Sequence, residues 1–115
     1  MISVVIPLYN KASQIASTLR SVLAQTYQDF EIVVVDDGST DNSLAEVGKV
    51  GDSRIRIIRQ SNAGVSAARN KGISAAKGEF VALLDGDDRW EETYLETQLQ
   101  LAHSYPDCDV FATNY

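Results

Sequence analysis

The chain is poor in the residues that staple, span or shuttle. It has one cysteine, Cys108, one histidine, His103, and two prolines, Pro7 and Pro106, in 115 residues. A single cysteine excludes an internal disulfide. His103 has no cysteine or second histidine at metal-ligand spacing, which leaves it a dipole-compensating or surface role near a helix end. No apolar run approaches the roughly 20 residues that a membrane helix needs. No basic run or basic face offsets the net charge of -6, which argues against nucleic acid or an anionic membrane as a general partner. No charged and apolar leader precedes the strand-like sequence at Ile2, so a cytoplasmic location is expected. Gly-x-Gly-x-x-Gly and Gly-x-x-x-x-Gly-Lys-Ser/Thr are both missing, so neither a dinucleotide-dependent oxidoreductase nor a P-loop phosphotransferase is supported. There is no repeat, low-complexity tract or internal linker.

What is present suits one α/β domain, with 44% hydrophobic residues for a core. Ile2 to Ile6 is a β-branched apolar run closed by Pro7, where the ladder is expected to stop. Ile15, Leu19, Val22 and Leu23 place one apolar stripe on a helix over residues 11–24, with Asn10 or Ser13 to cap it. Phe30 to Val35 repeats the buried-strand pattern and runs into Asp36-Asp37-Gly38-Ser39-Thr40-Asp41, a polar turn able to cap a short helix beginning near Asn42. Arg54 to Arg59 reads as a strand near the sheet edge with one solvated face. Val65 to Ala76 reads as a helix whose alanines, Ala67, Ala68, Ala75 and Ala76, allow close approach to the sheet before Gly78 stops it. Residues 79–84 form a further strand, 91–104 a helix ended by Pro106, and Asp109 to Thr113 a fifth strand that Cys108 enters as a small core residue. Strand and helix in alternation imply a mainly parallel sheet with helices on both faces.

In a doubly wound sheet, ligands sit at the carboxyl ends of strands where the winding reverses. Three such ends carry chemistry: Pro7-Leu8-Tyr9-Asn10, Asp36-Asp37-Gly38-Ser39 and Asp85-Gly86-Asp87-Asp88. The last puts three carboxylates within four residues, and like charges repel by about 1 to 4 kcal/mol per pair at 4 Å. Taken alone it reads either as a solvated turn before a helix cap or as a site for a hard divalent cation, with Gly86 turning the backbone so that Asp85 and Asp87 face one ion. Tyr9 offers a ring for base stacking, and Asp37 an acceptor for a pyrimidine N–H or a ribose hydroxyl. Arg69 can grip a phosphate or steady an Asp. Trp90 either walls a sugar pocket or anchors the following helix, and Lys11 and Lys71 read as residues of solvated helix faces.

The segments Val5-Ile6-Pro7-Leu8-Tyr9-Asn10, Val34-Val35-Asp36-Asp37-Gly38-Ser39-Thr40-Asp41, Asn62-Ala63-Gly64-Val65-Ser66-Ala67-Ala68-Arg69-Asn70 and Leu84-Asp85-Gly86-Asp87-Asp88, in this order, resemble the family 2 glycosyltransferases. The resemblance covers essentially the whole chain and implies the Rossmann-like, nucleotide-sugar-binding half of the GT-A fold. It implies an inverting transfer from a nucleotide-diphospho-sugar, most often a UDP-sugar, to a carbohydrate or lipid-linked glycan acceptor, with Mn2+ or Mg2+ as cofactor. By the same resemblance Pro7, Tyr9, Asp37, Asn62, Arg69 and Asp85 bind the nucleotide, and Asp87, with Asp85, holds the metal. Gly64 and Asn70 match the third motif, Asp36 becomes a capping or scaffold residue, and Asp88 a supporting carboxylate. The family's catalytic base is expected beyond Tyr115, so residues 1–115 read as a donor-binding domain cut from a longer enzyme and inactive by itself. Association with a membrane is expected only through segments outside the chain. Two other readings stay open: a nucleotidyltransferase that forms sugar nucleotides, and a non-catalytic nucleotide-binding or assembly module.

Overall fold

In the computed structural model, which describes residues 1–104 and 110–112, strands and helices alternate without exception. They are β1 (Ile2–Leu8), α1 (Ile15–Leu23), β2 (Phe30–Asp36), α2 (Ser43–Val50), β3 (Ile55–Arg59), α3 (Val65–Ala75), β4 (Phe80–Leu83), α4 (Tyr94–Ser104) and β5 (Val110–Ala112). The sheet order is β3-β2-β1-β4-β5, and every pairing is parallel. The chain thus winds outward from β1 to β3, crosses back through α3, and continues on the other side of β1. That reversal puts the switch point between β1 and β4, where a parallel sheet leaves a crevice at its carboxyl edge.

Side-chain alternation along the strands divides the core. Val4, Ile6, Leu8, Ile32 and Val34 share one face with Ile15, Leu19 and Val22 of α1, Val47 of α2 and Leu95 of α4. Val5, Val33, Val35 and Val81 share the other with Ala68 of α3. β1 and β2, covered on both faces, are buried at every residue, as their unbroken apolar sequence requires. Full burial of a side chain such as Leu19 contributes about 1.5–3 kcal/mol.

Several local expectations are corrected. β1 does not stop at Ile6 but continues through Pro7, paired with Val35, to Leu8, paired with Asp36. The backbone groups of Val5 face β4, where Leu84 N donates to Val5 O at 3.0 Å, whereas Leu8 O faces β2 and accepts from Asp37 N at 2.8 Å. Strand alternation therefore turns the Pro7 nitrogen toward β4, and the β1–β4 pairing ends at Val5 and Leu83, so its missing N–H costs no ladder bond. α1 starts at Ile15 with Gln14 as its cap position and no side-chain cap, so neither Asn10 nor Ser13 caps it. The close approach of α3 depends on Gly72 as well as on alanine, since a Cβ there would collide with Val5 Cγ1. Trp90 is 5% exposed and packs in the core stacked on Tyr94, with ring centroids 4.2 Å apart, which makes it the anchor of α4.

Arg56 is not simply solvated. Its guanidinium meets Glu31 Oε1 at 3.0 Å and the Ala75 carbonyl at 2.7 Å. Glu31 Oε2 accepts from Ser3 Oγ at 2.6 Å and Lys77 N at 2.7 Å. Burial alone would raise the Glu31 pKa, but these donors hold it below the usual value. The network ties β1, β2, β3 and the end of α3 together at the edge opposite the crevice. Lys71 is exposed, as expected. Pro106 and Cys108 lie outside the described residues, as do the side chains of Ala102 and His103. Among the described residues no helix is long and apolar enough to cross a membrane.

Candidate functional site

At the carboxyl edge, beside the switch point, lies a cavity of about 370 Å3. It is lined by the segment from Pro7 to Tyr9, by Lys11 and Asp37, by Asn62 and Gly64, by Val65 and Ala68 of α3, and by Asp85, Gly86 and Asp87. Its size falls in the range of small-molecule sites. The fold therefore brings Pro7, Tyr9, Asp37, Asn62, Asp85 and Asp87 to one hollow. Arg69 stands behind the wall on α3, and Asn70 is exposed and outside it.

The Asp36–Asp41 turn and the residues after it hold the β1–α1 loop. Ser39 Oγ accepts from Asn10 N at 3.0 Å, Ser43 Oγ from Lys11 N at 2.9 Å, and Asp41 Oδ2 from Ala12 N at 3.2 Å. In return Asn10, in the left-handed region at φ 51, accepts from Thr40 N at 2.8 Å through Oδ1. Three successive amides of the loop that precedes α1 are thus satisfied from another loop. Asp41 Oδ1 also accepts from Ser43 N at 2.9 Å, starting α2. Asp36 is 1% exposed, with Oδ1 unpartnered among the described residues.

Asp37 organises the neighbouring loop. It is 4% exposed, and its carboxylate accepts from Gln60 Nε2 at 2.9 Å, Ala63 N at 2.8 Å and Gly64 N at 3.0 Å. The Gln60 bond leads in lowering its pKa, with the two amides adding to it against the cost of burial. Asn62 Nδ2 donates to Asp37 O at 3.2 Å. Gly38, at φ 79, passes so close that a Cβ would lie 3.0 Å from Asn62 N. A carboxylate has about four lone-pair directions, so Asp37 keeps capacity for a donor in the cavity. Tyr9, 45% exposed, leaves a ring face open there.

The acidic turn is held from α1. Thr18 Oγ1 donates to Gly86 O at 2.9 Å, the shorter of its two contacts, and Ser21 Oγ accepts from Trp90 N at 3.2 Å. Gln25 Nε2 donates to Glu91 O at 2.6 Å while its Oε1 accepts from Leu95 N at 2.9 Å. Thr18 and Ser21 stand on α1 beside its apolar stripe and Gln25 just past its end at Leu23, and together they fix the chain from Gly86 to Leu95. Sequence reasoning missed them because hydroxyl and amide side chains on or just after a helix look solvent-facing. The periodicity with Leu19 and Val22 was the available signal.

Each carboxylate proposed for the metal meets a cation of the chain itself. Arg69 Nη2 lies 2.9 Å from Asp85 Oδ1, and Lys11 Nζ lies 3.3 Å from Asp87 Oδ2. Lys11 therefore sits before α1 and in the cavity, not on a solvated helix face. Arg69 steadies an Asp, while its buried Nε has no partner among the described residues. Burial, and then repulsion from Asp87 and Asp85, raises the Asp88 pKa. No cluster of three or more acidic, histidine or cysteine ligands exists among the described residues. Two adjacent carboxylates, half-exposed and calling for positive charge, still fit Mg2+ or Mn2+, which take one or two protein carboxylates and complete their shell with water and phosphate.

The geometry has counterparts. GlyG, a glycosyltransferase of Streptococcus pneumoniae serotype 4, is 43% identical over 118 residues, covering 100% of this chain and 39% of that protein. The crystal structure of S. aureus TarS 1–349 in complex with UDP-GlcNAc superposes with a TM-score of 0.85 at 32% identity, over 91% of this chain and 32% of that one. The mannosyltransferase PcManGT from Pyrobaculum calidifontis, in complex with GDP-Man and Mn2+, gives 0.72 at 29% identity, over 77% and 28%. The chain spans about two fifths or less of the length of these relatives. The profile of Glycosyl transferase family 2 matches residues 3–115, and with that match and these neighbours the chain belongs to glycosyl transferase family 2 and carries its α/β fold.

Proposed function

We propose that residues 1–115 form the donor-binding portion of an inverting glycosyltransferase that holds a nucleotide-diphospho-sugar, foremost a UDP-sugar, for transfer to a hydroxyl of a carbohydrate or lipid-linked glycan. The observation that carries this reading is the convergence of Tyr9, Asp37, Asn62, Asp85 and Asp87 on one cavity. Its support from likeness is the UDP-GlcNAc complex of TarS and the GDP-Man and Mn2+ complex of PcManGT.

In this reading the base stacks on Tyr9 beside Pro7, and Asp37, already ionised by its three donors, accepts the base N–H. The Asn62 to Gly64 loop closes the base side. Asp85 takes the ribose or shares the cation, Asp87 is the direct ligand, and Arg69 orients Asp85. Asp87 and Asp85 would hold a divalent cation, which would supply positive charge for a diphosphate leaving group. No residue of the cavity is assigned as the base that deprotonates the acceptor, and the reaction is placed in the cytoplasm or at the cytoplasmic face of a membrane.

The test is thermal melting of the protein in Mn2+ with UDP, GDP, ADP and CDP in turn. UDP is expected to raise the melting temperature most, because a ligand bound only by the folded state stabilises it more the tighter it binds, as the logarithm of its concentration over its dissociation constant. Equal shifts from all four, or none, would sink the uridine assignment.

A further inference from the structure

Among the described residues, Lys11 is the one basic side chain in the wall of the cavity, which it shares with three carboxylates, Asp37, Asp85 and Asp87. Its two ends differ in freedom. The backbone is clamped: Lys11 N donates to Ser43 Oγ at 2.9 Å, and Lys11 O accepts from Gln14 N at 3.0 Å and Ile15 N at 2.9 Å. The stem passes over the acidic turn, with Cγ 3.7 Å from where a Cβ on Gly86 would stand. The ammonium meets Asp87 Oδ2 at 3.3 Å, with the two side chains 41% and 43% exposed. A pair so exposed is weak and readily exchanged, and a four-carbon stem lets the ammonium turn without moving the backbone.

Charge decides where it turns. A diphosphate entering a hollow walled by three carboxylates meets repulsion that one divalent cation only partly offsets. Once a cation claims Asp87, the Lys11 ammonium loses its partner beside the incoming phosphate oxygens, and lysine suits phosphate as a compact point charge.

We infer that Lys11 is a diphosphate-binding residue that stands in for the cation in the free protein, holding Asp87 until metal arrives and then turning to the phosphates. The inference rests on the donor-site reading above and adds a residue and a sequence of contacts to it. It makes two opposite predictions for one substitution. Lys11→Met keeps the stem and removes the charge, so Mn2+ alone should bind about two- to fivefold tighter, the scale of an exposed ion pair. UDP in saturating Mn2+ should bind roughly tenfold weaker, the scale of one charge-assisted hydrogen bond. Lys11→Arg should keep UDP affinity close to that of the wild type.

Calorimetric titrations of wild type, Lys11→Met and Lys11→Arg with Mn2+, and with UDP in Mn2+ or in chelator, read every arm. Opposite shifts in Lys11→Met, reversed by Lys11→Arg, support the inference. Unchanged UDP affinity in Lys11→Met beside a Mn2+-dependent wild type overturns it alone. A wild type that binds UDP equally in Mn2+ and in chelator overturns the metal reading, and this inference with it.

Discussion

Thr18 and Gly86 are 68 residues apart in sequence, and the Thr18 hydroxyl donates a buried 2.9 Å hydrogen bond to the Gly86 carbonyl in the middle of the acidic turn. The bond couples the first helix to the placement of two carboxylates. Thr18→Val keeps the shape and leaves that carbonyl buried without its donor, which should cost about 1–3 kcal/mol in urea denaturation. It should also weaken Mn2+-dependent UDP binding, whereas Thr18→Ser should retain both. A Thr18→Val protein as stable and as avid as the wild type would show that the turn holds itself.

Gly72 supplies a test of the fold. Alanine is normally the better helix former by about 1 kcal/mol. Here a Cβ would meet Val5 Cγ1 and lie 3.2 Å from Val35 Cγ2. Gly72→Ala should therefore lower stability by about 1–3 kcal/mol by overpacking. A gain in the denaturation midpoint would mean that α3 can lift from the sheet at little cost.

The division of labour along the chain explains what could be read early. The strands β1 and β2, the stripe Ile15, Leu19 and Val22, and the carboxyl-edge position of Tyr9, Asp37, Asp85 and Asp87 follow from periodicity and parallel-sheet topology. Readings that rested on immediate neighbours were less secure. Asn10 resembles a cap because it precedes a helical stripe, yet its side chain bonds Thr40 and Asp41, about thirty residues away. Pro7 resembles a strand end, yet β4 has already left that side of β1. Lys11 and Glu31 acquire their partners, Asp87 and Arg56, only when separate loops and strands meet. Local sequence carries no record of such pairings.

Asp37 gives the fold a defined acid sensitivity. Its folded pKa lies below the ordinary Asp value of about 3.9 because of the Gln60, Ala63 and Gly64 donors. A depressed carboxylate adds stability that is fully present above the unfolded pKa and is lost as pH falls through the folded one. Asp37→Asn should thus destabilise at pH 7 and lose less further stability than the wild type below about pH 4. Parallel urea curves for the two proteins from pH 7 to pH 3 measure this, and a difference independent of pH would contradict it.

Asp88 works in the opposite sense. Its pKa is raised by burial and by Asp87 and Asp85, so its favourable contribution exists below the unfolded pKa and disappears as pH rises through the folded one. At pH 7 the ionised group is a burden, and Asp88→Asn should raise the melting temperature without metal. Saturating Mn2+ relieves the same repulsion, so the gain should shrink when metal is added. A larger gain in Mn2+ would instead make Asp88 a partner of the site's carboxylates in their free state.

Asp87 is the metal ligand proposed for the nucleotide-sugar site. Calorimetric titration of UDP into wild type and Asp87→Ala, each in Mn2+ and in chelator, tests it most directly. The expected result is wild-type binding that falls at least about tenfold in chelator, and Asp87→Ala binding that is weak and the same in both buffers, the mark of a lost metal contact. Wild-type affinity unchanged by chelator, or Asp87→Ala affinity still enhanced by Mn2+, would contradict it.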